Sequence, residues 1–456
     1  MATAIKTGAA IFDTPAHPAL GWAARAGDKA FRIKGVESLD NDTVWLLNAS
    51  KDEMRENGIA GNAFFRASDY LRLRVDDILV EWGYLALDKT MIDAPGGAEC
   101  VAGIFGRLVD MKCAQIGASR VDWRPPMFSL RQSLREVLLP PDEITEPDLK
   151  KICEEASQAF VFSRIPGAHG AKTLCPINPP RLSHALDILQ TPVPKNTDYK
   201  RLDPPGDQVR LGQWLDAHPG PMLLQARIGG LEPMMRKLIN IGSTPEERQQ
   251  KTDDGSTYTG LSMRQWITSD EARVYAQCGE IEVEDAIWWP NWVIPLTVIP
   301  QIERLAAGIE DYDHMSYSLG LYAEQLWTAL TMRKAPKNVD TKEIASVIAP
   351  FLRAADRLGC FHAAIGITNQ TAGVFGYGTS RVLARVDDAD PIGESFKIAA
   401  TANCVPPLAG GEPVARTGQG VMSGNQVAEA RMELLANGLQ STYAAVDAEI
   451  IDAIVQ

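Results

Sequence analysis

The chain has 456 residues, of which 45% are hydrophobic and 23% charged, and carries a net charge of −13. This length exceeds one ordinary core and implies two or three domains, and the composition excludes a disordered chain. The acidic balance excludes a broad basic surface for gripping phosphates, so any nucleic-acid contact must be local and weak.

Seven cysteines (Cys100, Cys113, Cys153, Cys175, Cys278, Cys360, Cys404) are scattered without a CxxC pair. That usage implies no disulfide framework and fits a reducing, cytoplasmic setting. The N-terminus lacks the charged-then-apolar plan of a secretory signal.

Residues 1–165 read as a mixed α/β domain. Ala30–Val36 and Thr43–Leu47 are strand-like, and Leu71, Val75, Ile78, Leu79 and Trp82 recur at helical spacing within Ala67–Leu87. A helix capped by Thr145, with Pro147 in its first turn, is expected to run to about Phe162. Residues 166–260 hold twelve prolines between Pro166 and Pro245. That density predicts an extended layer draped over other elements, because proline breaks long helices and central strands.

Residues 261–404 read as a helical domain. Ser269 caps one helix, Pro300 opens a long one reaching Met332, and an Asp340/Glu343 capping box starts another that closes at Gly359. Residues 405–456 read as a glycine- and proline-rich hinge followed by a helical arm starting near Ser423. The expected class is α+β, predominantly α-helical and multi-domain.

Ala286–Ile302 carries no charge and holds Trp288, Trp289, Trp292, Pro290, Pro295 and Pro300. The prolines break any membrane-spanning helix, so no membrane span is expected. The three tryptophans read as a core crossing or an interface anchor.

Chemistry-bearing patterns are sparse. Glu310, Asp313 and His314 share a helix face, and Cys175, His169 and His184 lie close in sequence, but neither set completes a metal site. Cys360 and His362, if on a strand, point to one side as a nucleophile and base require. Gly373, Gly376 and Gly378, and Gly418, Gly420 and Gly424, have the density of phosphate loops without the pattern. Arg120, Arg124, Arg131 and Arg135, with Trp123 and Phe128, form the best candidate nucleic-acid contact.

Arginine outnumbers lysine 28 to 17, a leaning towards protein interfaces. Together these features point to a self-assembling structural protein, a coat or shell (viral capsid-like) subunit. On this reading its partner is itself, as a homo-oligomer or lattice, with weak or no direct nucleic-acid binding, no cofactor and no metal. The alternative is a soluble cytoplasmic enzyme with a site built from dispersed residues; the missing motifs lean away from catalysis.

Overall fold

Near-continuous buried runs build the first sheet, because both of its faces are covered. The chain begins with β1 (Lys6–Phe12), β2 (Gly21–Arg25), β3 (Phe31–Ile33) and β4 (Thr43–Leu47), then a short helix α1 (Lys51–Glu56) and β5 (Phe64–Arg66). The strand order is β3-β2-β1-β4-β5, with β2 antiparallel to β1 and both β4 and β5 running parallel. Ala9, Ile11, Ala24, Val44 and Leu46 face one core, and Ala10, Phe12, Ala23, Trp45 and Leu47 face another, as a side-chain period of two requires. Helix α2 (Ala94–Gln115) covers the first face.

This computed structural model describes residues 5–59, 64–66, 75, 79, 94–115, 144–162, 172–206, 208–239, 263–298, 314–334, 343–368, 373–387, 391–402, 404 and 415–417. The helix expected over 67–87 falls largely outside them, although Val75 and Leu79 are helical and buried. The expected helical arm beyond Ser423 lies outside them altogether.

The middle of the chain holds α3 (Pro147–Ala156), β6 (Phe160–Phe162), β7 (Lys172–Pro176), α4 (Arg181–Leu189), β8 (Val193–Pro194), β9 (Lys200–Leu202), α5 (Gln208–Ala217), β10 (Met222–Gly229) and α6 (Pro233–Leu238). The proline-rich window therefore carries regular helices and a strand paired on both sides where an extended layer was expected. Its prolines stand at element boundaries. Pro180 is the N-cap of α4, Pro233 opens α6, and Pro194 sits in a two-residue ribbon, all places where a missing N–H costs little.

Next come β11 (Met263–Thr268), α7 (Ser269–Cys278), β12 (Glu280–Trp288), β13 (Trp292–Val293) and α8 (Pro295–Val298). The second sheet is antiparallel in the order β11-β10-β12-β9, with a bulge at Gln225/Ala226. Helix α7 is capped by Thr268, one residue before the expected Ser269, through a capping box with Glu271.

The last third comprises α9 (His314–Thr331), β14 (Met332–Lys334), β15 (Glu343–Ala345), α10 (Ala349–Thr368), β16 (Val374–Gly378), β17 (Arg381–Asp387), α11 (Pro391–Ala402) and β18 (Ala415–Thr417). Glu343 begins a strand rather than capping a helix, and Gly359 lies inside α10 rather than ending it. The third sheet runs β18-β7-β17-β16-β6, all antiparallel. Helices mixed with several small sheets make the chain α+β.

Helix α10 is the hub of the interior. Arg357 pairs with buried Glu271 at 2.6 Å and also donates to the carbonyls of Ala156 and Gln158, while Arg353 donates to Ser157 O at 2.6 Å. These guanidinium groups satisfy carbonyls left open where α3 ends, and the Arg357–Glu271 pair spares that buried charge the desolvation cost of a lone one.

Candidate functional site

Strand β12 ends at Trp288, and the tryptophan that follows it, Trp289, has a different fate. Trp289 is fully buried, edge-to-face with Phe351 at 5.6 Å and tilted against Tyr199 at 5.9 Å. It is a core residue of its own chain. Trp288 and Trp292 are only partly buried.

Around Trp288 the fold assembles a row of rings and a cation. Edge strand β9 places Lys200 directly opposite Trp288, with its ammonium 5.9 Å over the indole. Helix α5 carries Trp214 in its last turn and His218 is the residue just beyond its end at Ala217; their rings lie 5.2 Å apart, and His218 meets Trp288 edge-on at 5.5 Å. His218 Nδ1–H donates to Trp214 O at 2.9 Å, and the Trp288 indole N–H donates to Pro219 O at 3.0 Å. Both polar tips are thus held by backbone, which fixes the rings.

Gly220, at φ +109°, continues the row, because a Cβ there would lie 2.4 Å from the Trp292 ring. Lys200 is exposed over Trp288, and Lys195 is exposed next to the Trp292 ribbon, its N–H bonded to Asn291 O; Arg201 turns to the other face of β9 and pairs with Asp285 at 3.5 Å.

A second cluster is buried beneath α10. His184 of α4 approaches Asp356 at 2.9 Å (Nε2 to Oδ1), and Cys360 Sγ lies 4.0 Å from the same Nε2 and 3.8 Å from Asp356 Oδ1. Asp356 and Cys360 are four apart on one helix and so share a face. Gly359 makes room for the imidazole, since a Cβ there would lie 2.5 Å from His184 Nδ1 and Cε1.

Asp356 also accepts the backbone N–H groups of Thr379 at 2.6 Å and Ser380 at 2.7 Å. These are the two central residues of the β16–β17 turn, both left-handed at φ +58° and +59°. That turn type ordinarily takes Asn-Gly, and here a carboxylate from α10 holds it.

Burial pushes the Cys360 thiol well above its ordinary range, with the Asp356 charge adding to the effect, so it is no thiolate nucleophile near neutrality. A catalytic relay would also use both imidazole nitrogens, one for each partner, whereas Asp356 and Cys360 converge on one.

The expected Cys360/His362 pair does not form, because α10 turns them apart and leaves His362 exposed. Glycines 373, 376 and 378 belong to the β16 hairpin rather than a phosphate loop. Arg120, Arg124, Arg131 and Arg135, together with Glu310, Asp313 and His169, lie outside the described residues; of Cys175 only its place in β7 is described. Among the described residues, no helix is long and apolar enough to cross a membrane.

No family model matches the chain, and no curated protein matches it. Among solved structures it is similar to Phi29 DNA polymerase complexed with primer-template DNA and incoming nucleotide (9% identity, TM-score 0.41, covering 85% of this chain and 82% of that one). It is similar as well to the post-translocation binary complex (10%, 0.43, covering 86% and 82%) and to the complex with single-stranded DNA (11%, 0.38, covering 72% and 61%). These neighbours are DNA polymerases bound to DNA, not coat proteins. They correct three expectations, which are set aside: the coat or shell subunit, its homo-oligomeric lattice, and weak or no nucleic-acid binding. A likeness of this size carries no argument about what the chain itself does.

Proposed function

We propose that the chain binds single-stranded nucleic acid on the ridge formed by Lys200, Trp288, His218, Trp214 and Trp292. The single observation behind this reading is the row of partly buried rings Trp214, His218 and Trp288, two of them held by backbone, with Trp292 packed on Gly220 and exposed Lys195 and Lys200 at its side. Bases stack on such rings without regard to sequence, and cations beside them reach the phosphates. An overall acidic protein needs the contact to be local, which a ridge of this size is. A reducing, cytoplasmic setting belongs to the same proposal and is supported by six buried or partly buried free thiols among the described residues.

Fluorescence anisotropy of labelled oligothymidylate and oligouridylate tests the reading. Binding is expected in low salt and should weaken steeply as salt rises. Trp288→Ala is expected to lower affinity about 5- to 150-fold, the loss of a stacking contact worth about 1–3 kcal/mol. The reading fails if neither oligomer binds below about 100 μM, weaker than ordinary non-specific contact, or if a folded Trp288→Ala protein binds as well as the parent.

A further inference from the structure

Buried His184, Asp356 and Cys360 bring one nitrogen, one oxygen and one sulfur donor to a common point. The donor separations are 2.9 Å (N to O), 3.8 Å (S to O) and 4.0 Å (S to N). On a tetrahedral Zn²⁺ ion with ordinary bond lengths, the same pairs would stand about 3.3–3.6 Å apart. Movements of a few tenths of an ångström separate the two arrangements.

From this geometry we infer that the chain holds a divalent transition-metal ion of the Zn²⁺ class on His184 Nε2, Asp356 Oδ1 and Cys360 Sγ, tying α4, α10 and the β16–β17 turn together.

Two features beyond the donor set fit this role, and so does the set itself. Asp356 already accepts two backbone N–H groups, the arrangement that orients a ligating carboxylate from behind. The Thr379 hydroxyl, on the turn that Asp356 holds, is buried without a hydrogen-bond partner, so an oxygen donor stands on the adjoining turn. The mixed N, O and S set also suits Zn²⁺ or Co²⁺ rather than Mg²⁺ or Ca²⁺, which take oxygen.

On binding, the Cys360 S–H proton is released to solvent and the thiolate forms the metal–sulfur bond. The imidazole changes tautomer, its single proton passing from Nε2 to Nδ1, so that Nε2 and Oδ1 exchange their hydrogen bond for two metal bonds and the net release is one proton, from Cys360. No redox change is involved. Closed within the core, the ion is structural.

The test is titration of the chelator-treated full chain with Co²⁺, followed by displacement with Zn²⁺. The expected result is one equivalent bound with a thiolate-to-cobalt charge-transfer band, lost on adding Zn²⁺. Cys360→Ser is expected to abolish the band and His184→Asn to weaken binding at least tenfold, while Cys153→Ser, a buried thiol elsewhere, leaves both unchanged. Should Cys360→Ser fail to fold, the parent chain and Cys153→Ser still decide. No band in the parent, a band that survives in folded Cys360→Ser, or a band lost in Cys153→Ser overturns the site.

Discussion

Trp288 and Trp289 are adjacent in sequence and lie on opposite sides of the same sheet. Trp289 belongs to the core shared by the first sheet, α4 and α9, whereas Trp288 lies at the rim of the core beneath α5 and α7. One is enclosed by Phe351 and Tyr199; the other keeps part of its ring at the surface under Lys200. A tryptophan's chemistry is the same in both places. Access decides whether it contributes stability or is available to a ligand.

The sharpest test of that contrast is the pair of alanine variants. Trp289→Ala is expected to cost about 3–5 kcal/mol of stability, transfer and cavity terms together. Trp288→Ala should cost less than half as much, read as shifts in the urea midpoint at constant slope. Equal losses would erase the distinction between the two faces.

Arg357→Met extends the comparison within the interior, since it leaves Glu271 buried without its partner, and a loss of about 3 kcal/mol or more is expected. A variant as stable as the parent would mean that the pair is dispensable. At the rim, by contrast, Lys200→Met removes a cation–π contact worth about 0.5–1 kcal/mol. Thermal melting should barely move while the salt dependence of oligonucleotide binding flattens.

The smallest expected effect lies at the exposed start of α1, where Ser50 and Glu53 form a reciprocal cap. The Ser50 backbone N–H, and then its side chain, hold the Glu53 carboxyl below its ordinary value. A depressed carboxyl contributes stability that is present above its unfolded pKa and is lost as pH falls through the folded one. Ser50→Ala should cost about 1 kcal/mol near neutrality and progressively less in acid; a cost independent of pH would show that the Ser50 hydroxyl does not help hold the Glu53 carboxylate, which keeps the Ser50 backbone N–H in the variant.

Much of the local structure was legible because it depends on neighbours in sequence. Thr43–Leu47 forms a strand with the expected bounds, and Pro147 opens the expected helix. That helix ends at Ala156 rather than near Phe162, because Phe160–Phe162 is taken into the third sheet.

The ridge was half legible. Trp288 and Trp292 stand out by composition, but Lys200, Trp214 and His218 reach them only through the β9–β12 pairing and the packing of α5, which no local pattern encodes. The buried cluster was misread for a specific reason. Cys360 and His362 share a side on a strand, but in a helix two residues are about 200° apart. The helical partner four residues back, Asp356, is the one that meets the thiol, and His184 comes from an element more than 170 residues away.

The left-handed pair at Thr379 and Ser380 also bears on the order in which the molecule folds. Each such residue costs about 1–2 kcal/mol for an L-amino acid, and the carboxylate that offsets the cost sits on α10, 23 and 24 residues away in sequence. The β16–β17 hairpin therefore cannot close on local information, as an Asn-Gly hairpin does. Closure of the hairpin is thereby coupled to α10, and it is expected to follow that helix. Substitutions in this turn should accordingly hasten unfolding and leave the refolding rate almost untouched.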